Sequence, residues 1–289
     1  RSINTYTKPK TVKVAAPFPY KRVRIDWIDI ITEGGWGSEE DRAFTFWARP
    51  QFLKPIGNNV LILSIVDKNG KVQLNTGKLP DFGNSLNVGD WVNIKGTQSY
   101  NGIAKIIEIV GDSIVIDESY IDDVLATGSP TFNKEESNNF MIYENDLLPP
   151  TQYVSLTYTI NWFIMKINNT YFKWKINKPF VKNKWYAFVI NLNSTARQLG
   201  LFLYDTIENS TAINPAITSD LNLLFNETKA YDPVDVIEGK DWKLLGCNTD
   251  LTNIRIWKKP IEEELQSLIL SQYVVKDTHL TLLLDNASP

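Results

Sequence analysis

"DLTNIRIWKKPIEEELQSLIL", residues 250–270, joins a strand pattern to a helix pattern within one short stretch. Residues 253–257 alternate polar and apolar side chains, which is typical of a half-buried strand. Pro260 suits the first position of a helix because its missing N–H costs nothing there. The three glutamates at 262–264 then lie in the first turn, where the helix dipole favours carboxylates. An apolar stripe with helical spacing follows: Ile261, Leu265, Leu268 and Ile269. The stretch therefore predicts a strand, a tight turn and an amphipathic helix that packs on a sheet.

The rest of the chain favours strands and turns. It has 9 Trp, 12 Tyr and 13 Phe but only 2 Met, and aromatic side chains suit a pleated, half-buried surface. Asn69-Gly70 separates two apolar strand patterns, which is the chemistry of a β-hairpin turn. A second hairpin is expected around residues 193–195. With 43% hydrophobic and 22% charged residues, the chain is not intrinsically disordered. We therefore predict an all-β fold.

Residues 86–117 have a different pattern, with several short strands joined by tight turns at Gly89, Gly102 and Gly111. Such a run suits a small SH3-like barrel, and it resembles barrels inserted into phage structural proteins. The predicted organisation is an extended basic arm over 1–19, the first part of a sandwich over 20–80, an inserted barrel over 81–125, the remainder of the sandwich over 126–275, and a strand or tail over 276–289.

Four stretches together resemble the laminin-G/concanavalin-A-like lectin fold. They are "FTFWARP" (44–50), "NKWYAFVIN" (183–191), "LGLFLYD" (199–205) and "NIRIWKKPIEEEL" (253–265), and they come in the order typical of that family. The resemblance implies an antiparallel β-sandwich, or jelly roll, with one short C-terminal helix. The family usually has Ser before the closing helix, where this chain has Lys-Pro. That difference changes the helix cap but not the role of the helix.

Few residues offer catalytic chemistry. A single histidine, His279, and a single cysteine, Cys247, exclude a Cys/His zinc site within one chain and make nucleophilic catalysis improbable. Glycoside hydrolases with related sandwiches carry paired acids on one strand. The nearest match, "ENDLLPP" (144–150), holds Glu144 and Asp146 but ends at Pro150 without a further acid. We therefore predict no catalytic residues, no cofactor and no enzyme activity.

Binding residues are harder to assign. Lectin activity needs exposed aromatic platforms, and the candidates for a glycan or partner contact are Trp36, Trp162 and Trp174. Other tryptophans lie in alternating strands and are predicted to be core: Trp27, Trp47, Trp185 and Trp257. Loop oxygens that could bind Ca²⁺ are those of Asp67, Asn69, Asp81 and Asp205. Because Asp and Asn also serve ordinary turns, no metal site is assigned.

Charge and composition narrow the class of protein. The net charge of −3 and the lack of nucleic-acid or phosphate-loop motifs argue against a nucleic-acid-binding protein. No apolar stretch approaches the ~20 residues that a membrane span needs. One cysteine favours folding in a reducing compartment. The chain starts with Arg1, which suggests a processed product or a fragment.

The predicted function is that of a non-enzymatic structural or assembly protein of a tailed bacteriophage, in the neck, tail or fibre. The combination resembles virion components, including those of crAss-like phages. Its expected partners are other virion proteins and further copies of itself, after synthesis in the host bacterial cytoplasm. Two alternatives remain open: a carbohydrate-binding module that recognises host-surface glycans, and a divergent glycoside hydrolase.

Overall fold

The structure, a computed structural model, describes residues 22–26, 41–50, 57–79, 86–122, 128–144, 152–206, 221–231, 241–245, 249–257, 259–271 and 280–284. Among them, 60% lie in strands and 4% in helix, and the sheets are antiparallel. This confirms the all-β prediction at the level of class. The chain divides into two compact units, and the smaller takes its described residues from Leu53–Ser137 and Tyr158–Trp162.

The elements in chain order are β1 (Arg22–Asp26), β2 (Arg42–Pro50), β3 (Val60–Leu61), β4 (Ser64–Lys68), β5 (Lys71–Asn75), β6 (Trp91–Lys95), β7 (Gly102–Val110), β8 (Ser113–Ser119), β9 (Thr131–Glu135), β10 (Asn138–Glu144), β11 (Gln152–Tyr158), β12 (Trp162–Ile167), β13 (Thr170–Lys175), β14 (Tyr186–Asn193), β15 (Gln198–Thr206), β16 (Leu221–Ala230), β17 (Asp241–Leu245), β18 (Thr249–Trp257), α1 (Glu263–Ser271) and β19 (Leu280–Leu284).

The larger unit contains two six-stranded sheets, ordered β1-β17-β10-β11-β12-β13 and β16-β15-β14-β2-β18-β19. Strand alternation gives the second sheet an aromatic inner face, on which the rings of Phe46 and Phe188 stack at 4.8 Å. Phe163, on β12 of the first sheet, lies 5.1 Å from Phe188. Side chains of the two sheets therefore meet in one buried layer, as in a sandwich-like architecture.

The opposite face of the second sheet is also buried, because α1 covers part of it. Ile261 and Leu270 pack with a cluster that contains Trp47, Trp185 and Trp257. These three tryptophans are buried, as predicted for core positions, while Trp27 lies outside the described residues. The predicted hairpin near residue 194 is confirmed, since Asn193 of β14 pairs with Gln198 of β15.

The smaller unit is a curled seven-stranded sheet with the order β3-β9-β6-β7-β8-β5-β4. Its two outermost strands, β3 and β4, follow each other in the chain with only Ile62 and Leu63 between them. Ile62 N–H donates to Pro130 O beside β9 (2.8 Å), and Leu63 N–H donates to Asn75 O of β5 (2.8 Å). The sheet therefore closes on itself around one apolar core: Val60, Ile62, Ile65, Val72, Leu74, Val92, Ile94, Tyr100, Ala104, Ile106, Ile114, Ile116 and Phe132.

This barrel-like unit is larger than the segment predicted over 81–125. It includes the β4–β5 hairpin around Asn69-Gly70, which the sequence analysis assigned to the sandwich. The reason is long-range pairing: β5 pairs with β8, with Leu74 opposite Ile114. A hairpin signal is local, so it predicts the turn but not the sheet that the hairpin joins.

Candidate functional site

The strongest candidate site is a polar cluster on the outer face of the barrel. Strands β6 and β9 pair so that Asn93 lies opposite Asn133 and Trp91 lies opposite Glu135. Because strand side chains alternate, these four residues share the face opposite to the apolar core. All four are buried. Polar residues on this face therefore need partners from elsewhere in the unit.

The Glu135 carboxylate receives those partners from the connection between β11 and β12. Its Oε1 accepts hydrogen bonds from Asn93 Nδ2 (2.9 Å) and Asn161 Nδ2 (3.2 Å). Its Oε2 accepts one from Thr159 Oγ1 (2.6 Å). We call these residues, together with Asn133, the Glu135 cluster. Both carboxylate oxygens are bonded to neutral donors, so the group is held in one geometry.

Thr159 also builds the turn that brings Asn161 to the carboxylate. Its N–H donates to Trp162 O (2.9 Å), and its Oγ1 accepts from Trp162 N–H (3.1 Å). The Trp162 ring lies against Gly102, where an added Cβ would come within 3.3 Å of the indole. Gly102 has a φ of +122°, which favours glycine. The cluster therefore anchors residues 159–162 on the barrel.

Two polar atoms near this anchor have no hydrogen-bond partner within the described part of the chain: Asn133 Oδ1 and Trp162 Nε1. Nothing in this arrangement pairs Glu135 with a second acid in the way that glycoside hydrolysis requires. Across the described ranges, no group of three or more His, Cys, Asp or Glu is placed to hold a metal ion. The observed contacts give the cluster an architectural role.

The exposed aromatic platforms predicted from Trp162 and Trp174 are not found. Trp162 is 8% exposed and Trp174 is 0% exposed, so neither ring offers a free face. On β13, alternation turns Phe172 and Trp174 inward while Lys175 is exposed, and the Trp174 ring lies 6.1 Å from that of Phe163. The prediction of exposure is wrong for these two residues, whereas sugar or partner contact stays a prediction. Trp36 lies outside the described residues.

The oxygens considered for Ca²⁺ serve other contacts where the structure describes them. Asp67 Oδ1 accepts from Gly70 N–H (2.7 Å), and Asn69 has a φ of 55°, as a tight hairpin turn requires. Asp205 Oδ2 lies 2.5 Å from Lys184 Nζ. Asp81 is outside the described residues. These groups show turn and ion-pair roles.

A second polar centre fixes the start of α1 on the sheet. Asn191 of β14 donates from Nδ2 to Ile261 O (2.8 Å) and accepts from Ile261 N–H at Oδ1 (3.0 Å). Gln266 donates to the same carbonyl (3.0 Å) and accepts from the Tyr204 hydroxyl (2.8 Å). Burial, with a smaller contribution from Glu263, raises the pKa of Tyr204 to about 12.

These contacts correct the predicted helix. It begins at Glu263 and not at Pro260, because the Ile261 backbone is bonded to Asn191 ahead of the first turn. The predicted apolar stripe included Leu265, which is 45% exposed, whereas its polar neighbour Gln266 is fully buried. Apolar periodicity found the helix and placed Ile261 and Ile269 on its packed side, but it included Leu265 and missed Gln266, since a buried glutamine carries no hydrophobic signal.

The other end of α1 is held by side chains of the sheet. Arg255 Nη1 donates to Ile269 O (2.7 Å), and Trp47 Nε1 donates to Leu270 O (3.3 Å). A guanidinium at this position satisfies a terminal carbonyl and complements the negative end of the helix dipole. The strand motif "RIW" therefore has a role that the sequence analysis did not assign.

The barrel also exposes apolar side chains along the segment from β3 to β4 that closes it. Leu61, Leu63 and Val66 are 46%, 53% and 37% exposed, and they alternate with the buried residues Ile62 and Ile65. We call these three exposed residues the barrel stripe. Exposed apolar side chains that form a contiguous patch mark surfaces used for contacts, and the barrel stripe is a candidate for such a patch.

Several residues raised by the sequence lie where no side chain is described: Asp146, Cys247 and His279 are outside the described residues, and for Glu144 only the backbone of β10 is given. Within the described ranges, helices able to span a membrane are absent. In comparisons with known proteins, no family model matches the chain, and no curated protein is significantly similar to it.

Proposed function

We propose that the chain is a non-enzymatic structural protein of a tailed-phage virion, a component of the neck, tail or fibre that works through protein–protein contacts. The barrel stripe carries this proposal. Leu61 and Leu63 leave about half of their surface exposed, although the adjacent residues Val60 and Ile62 are buried. Their partner is an apolar surface on a neighbouring protein of the particle, which would remove this area from water.

We also infer a laminin-G/concanavalin-A-like sandwich for the larger unit and an SH3-like barrel for the smaller one. The sandwich assignment is supported by two antiparallel sheets with an aromatic layer between them and by α1 on the outer face. The barrel assignment is supported by the short strands and by the closing contacts of Ile62 and Leu63. A rigid scaffold of this kind suits a subunit of an assembly.

The non-enzymatic part of the proposal is supported by the use of polar groups within the fold. The Glu135 carboxylate is bonded to Asn93, Thr159 and Asn161, and the buried polar groups around α1 bind one another. Hydrogen bonds that occupy both oxygens of a buried carboxylate hold it in place within the fold. The carbohydrate-binding alternative now depends on Trp36, since Trp162 and Trp174 are buried.

Quantitative mass spectrometry of purified phage particles tests the proposal. We expect the chain at a fixed copy ratio to other virion proteins. Its presence in infected-cell lysate but not in particles would contradict the proposal. Glycan-array binding that is lost in Trp36→Ala but kept in Leu223→Ala, a substitution at an exposed position, would support the carbohydrate-binding alternative. Polysaccharide hydrolysis that is lost in a single Asp or Glu variant would make the chain a hydrolase.

A further inference from the structure

Two Asn-Gly pairs lie between strands of the barrel, and they differ in the hydrogen bonds of their asparagine side chains. In Asn69-Gly70, at the tip of the β4–β5 hairpin, both residues are exposed. No hydrogen bond of the Asn69 side chain is found among the described residues. In Asn101-Gly102, Asn101 Oδ1 accepts from Thr97 N–H (3.0 Å), and Asn101 Nδ2 donates to Thr97 O (2.5 Å).

This contrast matters because Asn-Gly is the dipeptide most open to spontaneous deamidation. The backbone nitrogen of the glycine attacks Cγ of the asparagine side chain, a new N–C bond forms, and the amide leaves as ammonia. Water then opens the cyclic imide to aspartate or isoaspartate. Glycine has no side chain to hinder the attack. No enzyme, oxidant or reductant is needed, so exposure and freedom of the two groups decide the rate.

We propose that Asn69 is a spontaneous modification site of this protein and that Asp67 restrains its conversion. The attacking atom, Gly70 N, donates a hydrogen bond to Asp67 Oδ1 at 2.7 Å, which holds it in the turn. Asn69 and Gly70 both have positive φ, 55° and 81°. The turn must open locally before the nitrogen can reach Cγ. Asn101 is protected because both ends of its amide are bonded to the Thr97 backbone.

Deamidation of Asn69 changes the tip of the β4–β5 hairpin. In the unconverted chain, Lys68 and Lys71 pair directly across the turn. Conversion to isoaspartate adds a backbone methylene between them. It also adds a negative charge next to Asp67. A lengthened tip no longer fits a two-residue hairpin, since turn type and loop length are coupled. We therefore expect the β4–β5 hairpin to exchange backbone protons faster after conversion.

Peptide mapping of the purified chain, aged in mildly alkaline buffer, tests the proposal. We expect aspartate and isoaspartate to accumulate at Asn69 well before Asn101. In Asp67→Ala the rate at Asn69 should rise about five-fold, equivalent to about 1 kcal/mol for one lost hydrogen bond. Asp67→Asn keeps an acceptor oxygen, so its rate of conversion at Asn69 should lie between those of the unaltered chain and of Asp67→Ala.

Equal or faster conversion at Asn101 would overturn the site assignment. An unchanged or slower rate at Asn69 in Asp67→Ala would overturn the restraining role and make Asp67 a spectator or a base. A thermal melt of Asp67→Ala shows whether the variant is folded. If the variant is unfolded, the ratio of the conversion rates at Asn69 and Asn101 in the unaltered chain alone decides whether Asn69 is the modification site.

Discussion

Removing the Glu135 carboxylate should destabilise the barrel, because three side-chain donors share it as their acceptor. Glu135→Ala leaves the donors of Asn93, Asn161 and Thr159 without their acceptor. Each buried donor that loses its partner costs about 1–3 kcal/mol, and partial rearrangement lowers the sum. We expect a loss of about 3–5 kcal/mol in the free energy of opening of the smaller unit.

Glu135→Gln keeps the size of the side chain and removes only part of its hydrogen bonding. It therefore separates the contribution of the hydrogen bonds to stability from that of side-chain volume. Its remaining oxygen can still accept from the two asparagine amides. Its new amide group faces Thr159, whose hydroxyl oxygen already accepts from Trp162 N–H. The Thr159 proton then lacks an acceptor, so we expect a loss of about 1–2 kcal/mol. The exposed residue Glu108 on β7 supplies the matched control, and Glu108→Gln should change stability by less than about 0.5 kcal/mol.

Hydrogen exchange measured by mass spectrometry is the appropriate assay, because the chain has two units and exchange reports opening locally. Peptides from β9 and residues 158–162 should exchange faster in Glu135→Ala, while peptides from β14 and β15 of the larger unit should not change. The anchoring role would be refuted if Glu135→Ala matched Glu108→Gln within experimental error. Equal effects of the Ala and Gln variants would refute the hydrogen-bond explanation.

Two further predictions concern α1. Gln266→Ala should lower the free energy of unfolding by about 2 kcal/mol, since it leaves the Tyr204 hydroxyl without its acceptor. Leu265→Ala, at an exposed position, should lower it by less than about 1 kcal/mol. Denaturant titration of both variants checks this order, and a larger loss for Leu265→Ala would contradict the assigned buried face. Because burial raises the pKa of Tyr204 to about 12, above its unfolded value near 10, its contribution to stability is complete below about pH 10 and is lost as the pH rises toward 12. Tyr204→Phe should flatten that alkaline loss; an unchanged pH profile in melting experiments would show that Tyr204 is not responsible.

Local patterns predicted strands and turns well, because they are set by neighbouring residues. Asn69-Gly70 and the reversal near residue 194 are found as hairpin turns. The alternating pattern around Trp47 predicted a strand and a core position for this residue, which is buried on β2. These features need no knowledge of distant partners.

Other features depend on pairing between distant residues, which a local pattern does not contain. Trp174 is fully buried beside Phe163 of the neighbouring strand β12, and its own strand pattern does not tell which face of the sheet is covered. Gln266 is buried because Tyr204 and the Ile261 carbonyl lie where its amide points. Glu135 follows Lys134 in an ordinary polar stretch, and only the approach of Thr159 and Asn161 makes it an anchor.

The barrel stripe provides the most direct test of the proposed function. Leu61→Ser/Leu63→Ser should leave the isolated chain folded, since both side chains are exposed, and Leu223→Ser on β16 of the larger unit, 41% exposed, is the matched control. In complementation of a phage lacking the gene, we predict that the stripe variant enters particles at about one-tenth of the unaltered level or less, corresponding to about 1.4 kcal/mol of lost contact energy. Normal incorporation of the folded stripe variant would contradict the account, as would an equal loss with Leu223→Ser.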